Sequence, residues 1–136
     1  MIIAVDFDGT IVEDRYPEIG KERPFATITL RKLIEHHHKL ILWTVREGQL
    51  LDEAVEWCRN KGIEFYAVNK DYEEEDPETN KHFSRKIKAD VFIDDRNVGG
   101  LLDWGSIYEI LVHKKTYAEC LLGEEEKPKK KKWWSF

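Results

Sequence analysis

The chain reads as an α/β domain built on a mostly parallel, five-stranded sheet flanked by helices. Three observations predict this class. Short, uninterrupted apolar runs recur along the sequence, amphipathic stretches with helical spacing follow the first two of them, and polar residues gather where the runs end. An apolar run without alternation suits a strand buried on both faces, which is the environment of a parallel sheet covered by helices.

Ile2 to Val5 is the first such run, and Gly9 breaks it. Residues 11–24 carry Pro17, Gly20 and Pro24 and read as a loop or flap. A helix is expected over residues 25–37, with Ala26, Leu30, Leu33, Ile34 and His37 on one face. "KLILWT" is the second strand. A second helix is expected over residues 49–60, striped by Leu51, Ala54, Val55 and Cys58 and ended by Lys61-Gly62. "IEFYAV" is the third strand. Residues 69–84 are polar and acidic, contain Pro77 and read as a long loop of the kind that often carries function. "ADVFID" and "SIYEILV" are the fourth and fifth strands, and a short helix over residues 116–122 closes the domain. Residues 123–136 read as a tail, and no internal repeat is present.

The 136 residues match one domain, 1–122, plus this tail. At 41% hydrophobic the chain has the means for a core. A net charge of −5 argues against a dedicated nucleic-acid binder, although Lys129 to Lys132 form a basic run. Cys58 and Cys120 lack metal spacing and read as reduced core or near-core residues. The apolar start is too short for a signal peptide, and no run is long enough to span a bilayer. A cytoplasmic protein is expected.

In sheets of this class, ligands bind beyond the carboxyl ends of the strands. Strand one ends in Asp6, Phe7 and Asp8. Strand two ends in Thr44, followed by Arg46. Strand four ends in Asp94 and Asp95, followed by Arg96 and Asn97. Alternation puts Asp6 and Asp8 on one side and Phe7 on the other. Gly9 lets the chain turn at once. Four carboxylates in one crevice repel one another, and some would take up protons. A hard divalent cation with oxygen ligands removes the conflict, and magnesium, which keeps several waters and shares a substrate phosphate, fits best. Lys86 and Lys88 lie just before strand four and offer further balancing charge.

"DFDGT", "LILWT", a lysine and "FIDD", in that order, resemble the four motifs of the haloacid dehalogenase superfamily, over residues 2–112. The resemblance implies a Rossmann-like sheet and a magnesium-dependent phosphohydrolase. It implies that Asp6 is the nucleophile that forms an aspartyl-phosphate and that Asp8 is the general acid and base. It further implies that Thr44 binds the transferring phosphoryl group, and that Asp94 and Asp95 hold magnesium with Asp6 and the backbone carbonyl of Asp8. The third motif is a single lysine: Lys86 is favoured, with Lys88 and Lys70 as alternatives. The chemistry agrees with these roles. A carboxylate nucleophile splits one hard displacement into two easier ones, and the charge on phosphoryl oxygens calls for a cation and donors already in place.

Members of this superfamily often carry a cap domain, for which this chain has no room, so a capless member is expected. An open site suits a large phosphorylated substrate or closure by another subunit, and a homo-oligomer fits the second case. Residues 11–24 and 69–84 are the internal candidates for substrate contact. Arg46, Arg15 and Arg96 offer charge for a second anionic group, with plain surface solvation as the alternative. His36, His37 and His38 sit at a helix end, where histidine suits the carboxyl-terminal dipole better than it suits a metal. Trp43 and Trp57 read as core aromatics and Trp104 as a packed loop residue. The tail "KPKKKKWWSF" reads as mobile, with an anionic membrane, nucleic acid or a neighbouring subunit as alternatives.

A magnesium-dependent phosphatase acting on a phosphate monoester is therefore the expected function, and a phosphate- or metal-binding module with little turnover is the alternative. A signalling receiver domain fits less well, because its acidic pair comes first and its lone phospho-acceptor later.

Overall fold

The computed structural model describes residues 1–71 and 85–122. Eight elements follow one another: β1 (Ile2–Val5), α1 (Ala26–Glu35), β2 (Lys39–Leu42), α2 (Gly48–Asn60), β3 (Ala67–Val68), β4 (Val91–Ile93), α3 (Trp104–Val112) and α4 (Tyr117–Leu122). The four strands form one all-parallel sheet in the order β3-β2-β1-β4, compatible with a Rossmann-like fold. β1 is central. Val5 lies in register with Leu42 of β2 on one side and Ile93 of β4 on the other. The chain winds outward from β1 through β2 to β3, then returns to add β4 across β1. That reversal opens a crevice at the carboxyl ends of β1 and β4.

Alternation sorts the strand residues between two faces. Ile3, Val5, Leu40 and Leu42 pack with Leu30, Leu33, Ala54, Cys58, Trp104 and Ile107, so α1, α2 and α3 cover this face. Ala4, Ile41, Ala67 and Ile87 form a smaller cluster on the other. Phe7, just past β1, joins the larger core with no exposed surface and meets Trp57 edge-on at 5.7 Å. Burying a side chain of this kind is worth about 1.5–3 kcal/mol. Phe7 is therefore an anchor that leaves its two acidic neighbours on the opposite side.

The expected fifth strand is corrected: Ser106 to Val112 belong to α3. Asp103 caps this helix, accepting from the backbone N–H of Ser106 at 3.0 Å and from its Oγ at 2.8 Å. Trp104, Ile107 and Leu111 then fall on one buried face at helical spacing. A short apolar run of this length fits either period, and the cap decides for the helix. Trp104 is accordingly a helical core residue rather than a loop residue. The expected third strand narrows to Ala67–Val68, because Ile63 is already in the core while the chain from 61 to 66 still climbs out of α2.

α1 starts without a cap from its own N-cap residue, Phe25. Glu22 serves instead, accepting from the Thr27 N–H at 3.0 Å and from its hydroxyl at 2.7 Å. The helix ends as His37 turns to a φ of 68° and donates its N–H to the Ile34 carbonyl. The histidine run thus closes a helix, and His38 Nδ1 pairs with the Met1 amino group at 3.0 Å. Cys58 is buried, Cys120 is partly buried, and both are free thiols. No helix among the described residues is long and apolar enough to cross a membrane. The tail and most of residues 69–84 lie outside the described residues.

Candidate active site

The sheet carries its hydrogen-bond ladder one residue past the strands. The Asp6 N–H donates to the Ile93 carbonyl at 3.0 Å, and the Trp43 N–H donates to the Val5 carbonyl at 2.8 Å. Asp6 is thereby set beside Asp94 on one flank and Trp43 on the other. The chain turns at Gly9, whose φ is 83°. A methyl group there would stand 2.3 Å from Asp95 Oδ2, so only glycine lets Asp95 close over the turn.

Asp6, Asp94 and Asp95 each bring a carboxylate oxygen within 4.8 Å of the others. Thr10, fully buried, links two of them. Its hydroxyl lies 3.1 Å from Asp6 Oδ2 and 3.3 Å from Asp95 Oδ1, and it accepts the Asp95 N–H at 3.0 Å. Thr10 is in turn fixed by Trp104, whose indole N–H donates to the Thr10 carbonyl at 3.0 Å. Burial, then the neighbouring Asp94 charge, push the Asp6 carboxyl from 3.8 up to about 7. Three carboxylate oxygens gathered this closely fit a hard divalent cation, which would favour the ionised form of Asp6.

A crevice of about 810 Å³ opens over this cluster, lined by Asp6, Asp8, Asp14, Tyr16, Trp43, Thr44, Val45, Asp94 and Arg96. Thr44 is held at its rim: its N–H donates to Asn69 Oδ1 at 2.8 Å, and its Oγ1 accepts the Arg46 N–H at 3.1 Å. Asp14 and Tyr16 arrive from residues 11–24, which fold back on themselves through an antiparallel bridge between Val12 and Glu22. That segment is the flap expected to reach the substrate.

The structure thus brings together Asp6, Asp8, Thr44 and Asp94 around one crevice, with Asp95 beneath it. Two expectations are corrected. Arg46 does not line the crevice; it is 1% exposed, and it donates to both carboxylate oxygens of Asp8, at 2.7 and 2.8 Å. A guanidinium taken out of water needs such partners, so it turned inward rather than toward a second anion. For the same reason the Asp8 side chain stands apart from the three-carboxylate group. Lys86 is exposed and lies over the Phe92 ring at 5.5 Å, and it is not among the crevice residues. Lys88 is exposed, while Lys70 lines a different hollow beside β3. Phe92 pairs with Ala4 and shares a face of β4 with Asp94, so Lys86 lies on the face that carries Asp6 and Asp94 without lining the crevice itself. Among the described residues that line the crevice, the cationic one is Arg96. Sequence patterning does not single out Thr10 or Trp104 as site residues; the one local signal is a threonine directly after Asp8-Gly9.

No family model matches the sequence. No curated protein matches it either. A solved structure described as that of the conserved protein coded by locus from Bacteroides thetaiotaomicron is 67% identical, covers 87% of this chain and 94% of its own, and superposes with a TM-score of 0.81.

Proposed function

This chain belongs to the same family as that conserved Bacteroides thetaiotaomicron protein, and we propose that it is a magnesium-dependent phosphatase of the haloacid dehalogenase type. The observation that carries this reading is the convergence of Asp6, Asp94 and Asp95 from two adjacent strand ends, beside Thr44 from a third. Asp6, Asp94 and Asp95 would hold magnesium, which supplies charge to offset that of the phosphoryl oxygens.

In the proposed reaction an oxygen of Asp6 attacks phosphorus, and the bond to the ester oxygen breaks as that oxygen takes a proton from Asp8. The Asp8 carboxylate then takes a proton from water, whose oxygen attacks phosphorus, and the bond from Asp6 to phosphorus breaks to release phosphate and regenerate Asp6. Thr44 donates its hydroxyl to a phosphoryl oxygen. Acid and base assistance of this kind contributes about 10²–10⁴-fold. Among the described residues, 11–24 form a flap rather than a folded cap, and the crevice they leave is open; sugar phosphates, nucleotides and phosphorylated macromolecules all fit it.

The test is hydrolysis of a small aryl phosphate with and without magnesium, by the parent and by Asp6→Asn. Turnover that requires the metal and falls at least about 10³-fold in the variant is expected. Unchanged turnover in Asp6→Asn would sink the mechanism. One observation favours a second reading, a phosphate- or metal-binding module with little turnover: both Asp8 oxygens are already engaged by Arg46. Binding of a phosphorylated ligand without release of phosphate across a broad panel would support it.

A further inference from the structure

Arg46 is among the largest side chains wholly withdrawn from solvent, yet it sits directly behind the crevice. Its Nε donates to Asp8 Oδ2 at 2.7 Å, and its Nη2 donates to Asp8 Oδ1 at 2.8 Å and to the Glu18 carbonyl at 2.9 Å. Its Nη1 donates to the Leu50 carbonyl at 3.3 Å. The guanidinium carbon lies 5.2 Å from the centre of the Phe7 ring and 5.3 Å from that of Tyr16. These partners come from the end of β1, from the flap and from the first turn of α2. One side chain therefore ties Asp8 to the flap and to the start of α2.

A buried ion pair is a poor source of net stability, since desolvation offsets most of its attraction. What the fork does provide is orientation: two parallel N–H donors hold a carboxylate plane in one attitude, where a single donor leaves it free to turn. Each Asp8 oxygen keeps a second lone pair for a proton. Asp8 meets Arg46 on one side and lines the crevice on the other.

We infer that Arg46 is a positioning residue for Asp8, holding the carboxylate in the attitude from which it serves the leaving oxygen and then the attacking water, with the flap locking Arg46 in place. The inference rests on the phosphatase reading and assigns the site a component beyond it. It also accounts for the Asp8 engagement that otherwise favours a binding module: the pair directs the proton carrier instead of silencing it.

Leaving groups separate this role from a structural one. An alkyl phosphate expels a basic alkoxide that needs the proton, whereas p-nitrophenyl phosphate expels a phenolate that hardly does. With the full chain and magnesium, kcat/KM is measured on both esters for the parent, Arg46→Lys, Arg46→Gln, Asp8→Asn and the Arg46→Gln/Asp8→Asn double variant. Folding is checked by circular dichroism. The expected result is a loss of about 10²-fold or more on the alkyl ester, under about tenfold on the nitrophenyl ester, and no further loss when the Arg46 and Asp8 changes are combined. A folded variant that loses both rates equally, or whose loss adds to that of Asp8→Asn, overturns the inference. Failure of both Arg46 variants to fold overturns it too, because the residue then serves the fold. An active parent with unselective variants defeats this inference alone; a parent without magnesium-dependent turnover on either ester defeats the phosphatase reading as well.

Discussion

Asp6 and Asp94 stand side by side one residue beyond the Val5–Ile93 register pair, and the negative charge of each opposes that of the other. The backbone leaves them no means of separating. Asp6 donates its N–H into the β4 ladder, and Asp94 is fixed by accepting the Arg96 N–H at 2.9 Å. The sheet thus imposes a proximity that electrostatics alone would reject, and a bound cation would relieve it.

A pH dependence follows. The Asp6 carboxyl is raised in the folded state from 3.8 to about 7, chiefly by burial and then by Asp94. The folded metal-free protein therefore binds more protons than the unfolded chain between those values. Stability is greatest on this account below about pH 4 and declines as pH rises to about 7. Magnesium should raise the melting temperature clearly at pH 8 and little at pH 5, because protons compete for the same oxygens. Asp94→Asn should raise the metal-free melting temperature at pH 8 and abolish the magnesium effect. Thermal melts with magnesium or with a chelator check both; a magnesium effect equal at the two pH values would refute the assignment.

Gly9→Ala should damage the site more than the fold. Alanine at a φ of 83° costs about 1–2 kcal/mol in backbone strain. Its methyl group would also stand 2.3 Å from Asp95 Oδ2, so Asp95 must move out of the carboxylate group. Magnesium affinity, read by calorimetry, should fall at least about tenfold, a loss of about 1.4 kcal/mol in binding. Retained affinity would show that Asp95 is dispensable to the metal.

Glu22→Ala should be the reverse case. It removes the acceptor for the Thr27 N–H and hydroxyl at the start of α1, and Glu22 does not line the crevice. Loss of a helix cap costs about 0.5–2 kcal/mol. For a domain of this size that lowers the melting temperature by roughly 2–10 °C. Hydrolysis rates below the transition should be unchanged, and steady-state kinetics beside a melting curve will show whether the two separate.

Sequence alone determined the elements whose physics is local. The runs at Ile2–Val5 and at residues 40–42 had to be buried strands, because no face of them was polar. Residue alternation around Phe7 placed Asp6 and Asp8 on one side, and the order of strand ends brought Thr44 and Asp94 to the same crevice and Asp95 within reach of Asp6 and Asp94. Tertiary structure decided whatever depended on partners distant along the chain. Ser106 to Val112 fit either period until Asp103 capped them into a helix against the core. Arg46 reads from the sequence as charge for a second anionic group or as plain surface solvation, because nothing near it in sequence announces Asp8, 38 residues earlier. Lys86 is near enough in sequence to reach the acids, but its ammonium lies over the Phe92 ring and does not line the crevice. Charged side chains reach several ångströms and settle wherever desolvation is best offset, and the groups that offset it come together only when the chain has folded.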